Sequence, residues 1–382
     1  MNICFFSGSR SEYGLNNFLL RSLRKHKKNK IKLAISGLRK NSFLGMSELD
    51  IKKDNFRISK NIYLNLNNTS SLQVSKNFSK ICEEMSIYFN KNKFDIAILI
   101  GDRYETLAVA LAAYINRVPI AHIHGGEKTI DSLDDNYRHC ISKLSNLHFV
   151  SHTQYKKRLI QLGEEKKNIH VVGGLGSEII KNFSFLDKSS LEKNLKIKFK
   201  KKILVVNFYP ELKNLKISYN NLEKILNSLV IFKNCSIIFT FPTHEVGAKK
   251  FINKIKKFSL KKENCFYFYN LGHKKFLSLL KYSNIIIGNS SSGILEMPSL
   301  GGYTLNIGNR QAGRLMSKSV ISCNANSNKI TNLIKKLLRK KKHKIRNIYY
   351  KKDTSKKIVR ILKRYNLKKL NNFKIFNDLK II

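Results

Sequence analysis

The sequence predicts an α/β protein built from two doubly wound, parallel-sheet halves, and three observations carry that prediction. Short, nearly all-apolar runs such as FDIAILI and NIIIGN recur along the chain. Each is followed by a helix-length segment with a periodic apolar face or a string of small residues. A length of 382 residues also exceeds what one core usually holds, so two domains are expected. Strands that read as continuous apolar runs are buried on both faces, as in parallel sheets covered by helices.

In the first half NICFFSG is a strand, followed by a helix through NNFLLRSLRKH, then the strand IKLAISG and a variable stretch. A helix is expected around Leu72 to Asn90, then the strand FDIAILI, a Gly-Asp-Arg turn and a small-residue helix through Ala113. PIAHIHG is a strand ending in glycines, Asp134 to Ser145 a helix, LHFVS a strand, Thr153 to Leu162 a helix and IHVVGG the last strand. A polar, lysine-rich span from Asn182 to Lys202 separates this half from the next. There KILVVNF, CSIIFTF, CFYFY, NIIIGN, YTLNIG and SVISC are strands. Helices are expected over Asn220 to Phe232, Gly247 to Phe258, Lys274 to Tyr282 and Ser292 to Leu300. Asn326 or Ser327 caps a further helix through Leu338, and Asp353 or Thr354 caps one through Tyr365. The expected domains are 1–182 and 183–365, with a basic tail over 366–382. Two such halves imply a cleft between them, with ligands beyond the carboxyl ends of the strands.

The formal charge of +48 is extreme. Such a field could attract nucleic acid or an anionic membrane. Lysines, however, recur on nearly every predicted helix and loop rather than on one face, and no aromatic platform or Cys/His finger spacing is present. Nucleic acid is therefore not the expected partner. No apolar run reaches the roughly 18–20 residues that span a bilayer, and MNICFFSGSR does not read as a signal peptide. The six scattered cysteines include no CxxC pair, which points to free thiols in a reducing cytoplasm rather than a zinc site.

Four clusters fall at predicted strand ends. In SGSRSEYG, Ser7 to Gly14, glycines let backbone amides approach a phosphate and Arg10 offers a guanidinium fork. In IGDRYE, Asp102 and Arg103 stand at a strand tip with Glu105 one turn on; Asp102 is either a helix cap or a working carboxylate. AHIHGGEKTIDSLDDNYRH gathers His122, His124, Glu127, Asp134, Arg138 and His139 beside two glycines, a density that proton transfer requires. Asp134 is also placed to cap the following helix. In GNSSSGILEMPSLGGYTLNIGNRQAGR, the serines 290–292 open a helix, so hydroxyls and N-terminal amides converge as an anion cradle, and Glu296 is placed to accept from a ribose diol.

Taken together and in order, SGSRSEYG, IGDRYE, HIHGGE, DDNYRHCISKLSNLHFVS and GNSSSGILEMPSLGGYTLNIGNRQAGR resemble the hydrolysing UDP-N-acetylglucosamine 2-epimerases of sialic and related nonulosonic acid pathways. The resemblance runs from Ile3 to about Leu362. It implies two Rossmann-like domains facing a central cleft, a GT-B-type architecture, with no cofactor and no obligatory metal. It also implies a cytoplasmic homodimer or homotetramer acting on a UDP-sugar. The implied reaction removes the proton on carbon 2 as UDP leaves carbon 1, giving a glycal, to which water adds to yield the free 2-epimeric sugar. Asp102, His124, Glu127 and Asp134 are the implied catalytic groups, with Arg103 orienting Asp102. Arg10, Arg103, Tyr209, Ser290, Ser291, Glu296 and Arg310 are the implied UDP-sugar contacts. Histidine at 124 stands where the sialic-acid enzymes commonly have glutamate, as in the branch acting on UDP-N,N'-diacetylbacillosamine on the legionaminic acid route. Tyr209-Pro210 stands where His-Pro is expected. Rival readings are a glycosyltransferase of the same architecture and a non-catalytic basic binding protein. The first needs an acceptor groove and has no use for Asp102, Glu127 and Asp134 together.

Overall fold

The computed structural model describes residues 1–8, 10–37, 51, 55–65, 70–130, 132–211, 214–241, 247–342, 345–365 and 374–378. The side chains of residues 10–12, 15, 16 and 182 lie outside that description. The chain divides into two compact units: Met1–Lys128, Ser132–Ile179 and Tyr349–Ile382 form one, and Thr129–Asp131 with Ile180–Ile348 form the other.

The first unit begins with β1 (Asn2–Ser7), α1 (Arg10–Arg24), β2 (Lys30–Ser36) and β3 (Ile58–Ile62). It continues through α2 (Ser71–Lys91), β4 (Ile96–Ile100), α3 (Tyr104–Ile115), β5 (Ile120–Ile123) and α4 (Leu133–Leu144). The last elements of this stretch are β6 (Leu147–Val150), α5 (Thr153–Gln161), β7 (Ile169–Val171) and α6 (Leu175–Asn182). The seven strands form a wholly parallel sheet ordered β3-β2-β1-β4-β5-β6-β7. Every residue of β4 is buried, as a central strand covered on both faces must be. Helix α3 suits that cover because its alanines (108, 110, 112 and 113) are all buried and bring the helix close to the sheet.

In the second unit α7 (Lys188–Leu195) leads to β8 (Lys202–Asn207), α8 (Leu215–Leu229), β9 (Cys235–Thr240) and α9 (Ala248–Leu260). Then come β10 (Cys265–Phe268), α10 (Gly272–Tyr282), β11 (Ile285–Gly288), the one-turn α11 (Ser292–Leu295), β12 (Tyr303–Ile307), β13 (Val320–Cys323) and α12 (Ser327–Arg339). Its six parallel strands are ordered β10-β9-β8-β11-β12-β13. The final helix, α13 (Thr354–Arg364), returns to the first unit, where Ile358, Val359 and Leu362 join the core of Leu19, Leu20 and Leu23 on α1.

Strand order places the sequence motifs. In each sheet the winding direction reverses at one point, between β1 and β4 in the first and between β8 and β11 in the second. Neighbouring crossovers diverge there and leave the strand tips uncovered. The segments after β1 and β4 carry Arg10 and Asp102, and those after β8 and β11 carry Tyr209 and Ser290.

Several elements differ from expectation. The variable stretch of the first half contains β3, and the lysine-rich span contains α7, capped by Asp187, whose Oδ1 accepts from the Ser190 amide at 2.8 Å. The helix expected from Ser292 to Leu300 is one α turn followed by a 3₁₀ turn over Met297–Leu300, because Pro298 has no amide to continue the α ladder. Asn326 is the cap of α12, accepting from the Lys329 amide at 2.9 Å. Asp353 precedes α13 in a left-handed conformation and makes no side-chain cap bond. By contacts Tyr349–Ile382, which includes α13, groups with the first unit, whereas the expected second domain runs over 183–365. Of the six cysteines, Cys4, Cys235, Cys265 and Cys323 are buried thiols, whereas Cys140 is exposed. No helix among the described residues is long and apolar enough to cross a membrane.

Candidate active site

In the first unit Gly101 turns the chain at the tip of β4 with φ +85° and leaves Asp102 and Arg103 ahead of α3. Arg138, on α4, is 1% exposed and reaches this turn. Its Nε donates to Asp102 Oδ2 at 3.2 Å and its Nη2 donates to the same oxygen. Nη1 donates to Asp135 Oδ1 at 2.8 Å and to the Glu127 carbonyl at 3.0 Å. Burial opposes the guanidinium charge, but Asp102, Glu127 and Asp135 outweigh it and hold its proton more tightly than usual. One buried cation therefore fixes Asp102, the first turn of α4 and the loop at Glu127.

That loop is tightly built. A Cβ at Gly126, where φ is +72°, would lie 2.5 Å from the Tyr155 carbonyl oxygen, so only glycine fits. His124 itself has φ +69°, a conformation that costs a non-glycine residue of order 1 kcal/mol. It aims the ring at Glu127, with Nδ1 3.0 Å from Oε1. Ser151 Oγ donates to the same carboxylate oxygen at 3.4 Å. A carboxylate at one ring nitrogen orients the other for proton exchange. Arg103 forks onto Glu105 at 2.8 and 3.1 Å, and Arg138 also holds Asp102. The cap of α4 is Ser132, whose Oγ accepts from the Asp134 amide at 3.3 Å. Asp134 stands inside the first helical turn, where a carboxylate also favours the helix dipole.

In the second unit Gly288 ends β11 with φ +136°, and a Cβ there would meet the Asn207 carbonyl oxygen at 2.1 Å. The close approach puts Asn289, fully buried, against the loop after β8. Its Oδ1 accepts from the Tyr209 amide at 2.7 Å, and its Nδ2 donates to the Tyr209 carbonyl at 2.9 Å. The Asn289 carbonyl in turn accepts from Arg310 Nη1 at 3.2 Å and Gln311 Nε2 at 3.0 Å. Arg310 lies 4.7 Å from the centre of the Tyr209 ring, a cation–π distance. Ser290 is buried and its Oγ accepts from the Ser292 amide at 3.3 Å. Ser291 is the N-cap residue of α11, with no side-chain cap bond, and Glu296 is buried at that helix's C-terminal end.

A family model described as UDP-N-acetylglucosamine 2-epimerase matches residues 21–363. The chain belongs to the UDP-N-acetylglucosamine 2-epimerase family. It is 38% identical over 326 residues to the GDP/UDP-N,N'-diacetylbacillosamine 2-epimerase (hydrolyzing) of Campylobacter jejuni, covering 85% of this chain and 84% of that one. It is 35% identical to polysialic acid biosynthesis protein P7 of Escherichia coli, over 99% of this chain and 97% of that one. The solved UDP-GlcNAc 2-epimerase of Methanocaldococcus jannaschii superposes with a TM-score of 0.82 at 20% identity, covering 95% of this chain and 99% of that one. This epimerase thus has the GT-B architecture of two Rossmann-like units.

Within the first unit of the epimerase, the structure brings Asp102, Glu127 and the Asp134–Asp135 turn around Arg138, and pairs His124 with Glu127. Within the second it gathers Tyr209, Ser290 and Arg310 around Asn289. The Arg10 side chain lies outside the described residues. Arg138 enters the sequence reading only as a member of the titratable cluster, without a role of its own, and Asn289 is not singled out there. A sequence signal for Arg138 existed: it follows Asp134 and Asp135 at helical i+4 and i+3 spacing. Nothing local marks Asn289, whose partners come from loops about 80 and 20 residues away in sequence.

Behind the Asp102 turn, His122 on β5 is fully buried. Its Nε2 donates to the Gly101 carbonyl at 2.8 Å and its Nδ1 accepts from Ser142 Oγ at 3.0 Å. Burial pushes this imidazole down to about 3, the Gly101 bond opposing only in part. The unfolded chain therefore binds the proton below about pH 6.5 while the folded one does not. Stability is complete above that pH and falls on acidification through the window from 6.5 towards 3. The urea midpoint should drop between pH 7 and pH 5, and His122→Gln should flatten that drop. Equal slopes in the two proteins would show that His122 titrates alike folded and unfolded.

Proposed function

We propose that this epimerase converts UDP-N-acetylglucosamine to UDP and N-acetylmannosamine for nonulosonic acid biosynthesis, through elimination of UDP and hydration of the resulting glycal. The observation that carries this reading is the grouping in the first unit: a strand-tip carboxylate gripped by a fully buried arginine, beside a His–Glu pair. A structural helix cap needs no buried cation. A base that removes the proton on carbon 2 and an acid that returns one to the opposite face require carboxyl and imidazole groups held in fixed, distinct positions. Asp102 and Asp134, with His124 and Glu127, fill those roles. On the nucleotide side, Ser290, Ser291, Arg10 and Tyr209 donate to the diphosphate as charge builds on the leaving group. Arg310 supports the nucleotide end, Glu296 accepts from the ribose hydroxyls and Arg103 assists substrate binding. The reaction needs no nicotinamide or metal. A cytoplasmic homodimer or homotetramer, without nucleic acid or membrane partners, completes the reading.

A second substrate, UDP-N,N'-diacetylbacillosamine, is favoured by the 38% and 29% identities to the hydrolysing epimerases of Campylobacter jejuni and Legionella pneumophila that bear its name. His124 supports the same substrate. Proton NMR in deuterated buffer with each UDP-sugar decides. The expected result is UDP release with a free manno-configured sugar carrying deuterium at carbon 2, faster for the true substrate. Both nucleotide sugars intact after long incubation would eliminate the enzymatic reading.

A further inference from the structure

We propose that the C-terminal tail is a positioning device for the helix that carries Asp134, Asp135 and Arg138, and that Lys374 is its key residue. The tail returns to the first unit at residues 374–378. Lys374, only 16% exposed, inserts its ammonium among three acceptors. Nζ donates to Glu164 Oε2 at 2.5 Å, to the Lys143 carbonyl at 2.7 Å and to the Ser142 carbonyl at 3.4 Å. An ammonium has three donors, and all three are used here. Ser142 and Lys143 stand in the last turn of α4, where the Ser142 carbonyl also accepts from the Ser145 amide at 3.1 Å and the helix dipole favours a cation.

Flanking contacts seat the lysine. Glu164 is 3% exposed and also accepts from His148 Nε2 at 2.8 Å, while Lys143 Nζ lies 3.3 Å from its other oxygen. Burial raises that carboxyl, but the His148 bond, followed by the charges of His148 and Lys374, outweighs it and the net direction is down. The Asn377 amide donates to the Gly163 carbonyl at 3.3 Å, and Lys143 Nζ stands 4.4 Å from the centre of the Phe376 ring. A Cβ added at Gly163 would approach Phe376 to 2.7 Å.

The consequence runs along α4. Its last turn is fastened twice: Ser142 Oγ to His122, which holds the Gly101 carbonyl, and the Ser142 and Lys143 carbonyls to Lys374. Its first turns present Asp134, Asp135 and Arg138, and Arg138 grips Asp102. A helix is stiff along its axis, so a shift at the last turn appears at the first. Misplacement of reacting groups by about 1 Å can cost 10²-fold in rate. Lys374 thereby acts on the chemistry through α4 without touching substrate.

The test compares full-length wild type, Lys374→Met and the double variant Glu164→Gln/Lys374→Met. The double variant removes both buried charges, so no unpaired charge is left to destabilise the fold, while the Ser142 and Lys143 carbonyls still lose the ammonium. Amide hydrogen exchange over residues 133–138 should rise at least about tenfold in both variants. In the rate arm, which rests on the epimerase reading, kcat for UDP release should fall about tenfold in both with KM within twofold. Exchange at wild-type level in the double variant, or a kcat that recovers with its thermal midpoint, would reduce Lys374 to a stability contact. If wild type releases no UDP, the functional reading fails and the exchange arm still decides the positioning claim.

Discussion

Asp102→Asn is expected to lower kcat by about 10²- to 10⁴-fold, the usual span for losing a positioned proton-transfer group. UDP affinity should stay within about threefold, because the serines and Arg310 of the second unit are untouched. Asparagine keeps the shape and one carbonyl oxygen for Arg138, whose other partners, Asp135 Oδ1 and the Glu127 carbonyl, remain. Fold loss is therefore a poor explanation for lost turnover, and a thermal midpoint close to wild type should confirm this. Stopped assays of UDP release with titration of UDP itself make the measurement. Wild-type kcat in this variant would reduce Asp102 to an anchor for Arg138.

Arg138→Met should be damaging in two ways. It leaves Asp102 and Asp135 facing each other without the cation between them, and removing one partner of a buried charge cluster costs about 3–5 kcal/mol. It also frees the Asp102 carboxylate to rotate, for which a further rate loss of about 10²-fold in the folded fraction is expected. Arg138→Lys separates the effects. Lysine keeps the charge but cannot bond to Asp102, Asp135 and the Glu127 carbonyl from one planar fork. It should regain more than half of the lost urea stability while kcat stays at least about tenfold down. Full recovery of kcat with lysine would show that charge alone, not the fork, is what Asp102 needs.

The site was legible in proportion to how local its signals are. Asp102, His124 and Glu127 stand directly after apolar strands, so alternating elements and residue type were enough to single them out. Adjacency points to Arg103, which also forks onto Glu105 two residues on, whereas the buried cation that grips Asp102 comes from 36 residues away. The phase of α4, which no adjacency shows, is what brings this second guanidinium to the turn. Likewise the lysine-rich span read as a linker because lysine is everywhere in this chain, although Asp187 and Ser190 formed a capping signal inside it.

By itself the sequence determined that the strands are parallel and doubly covered, because their apolar runs leave no wet face, and that acids and hydroxyls stand at their carboxyl ends. Only the tertiary structure decided the strand order that makes β1/β4 and β8/β11 the points of reversal, and the return of α13 and Lys374 to the first unit. Strand order and chain return depend on burial summed over contacts far apart in sequence, which no local pattern encodes.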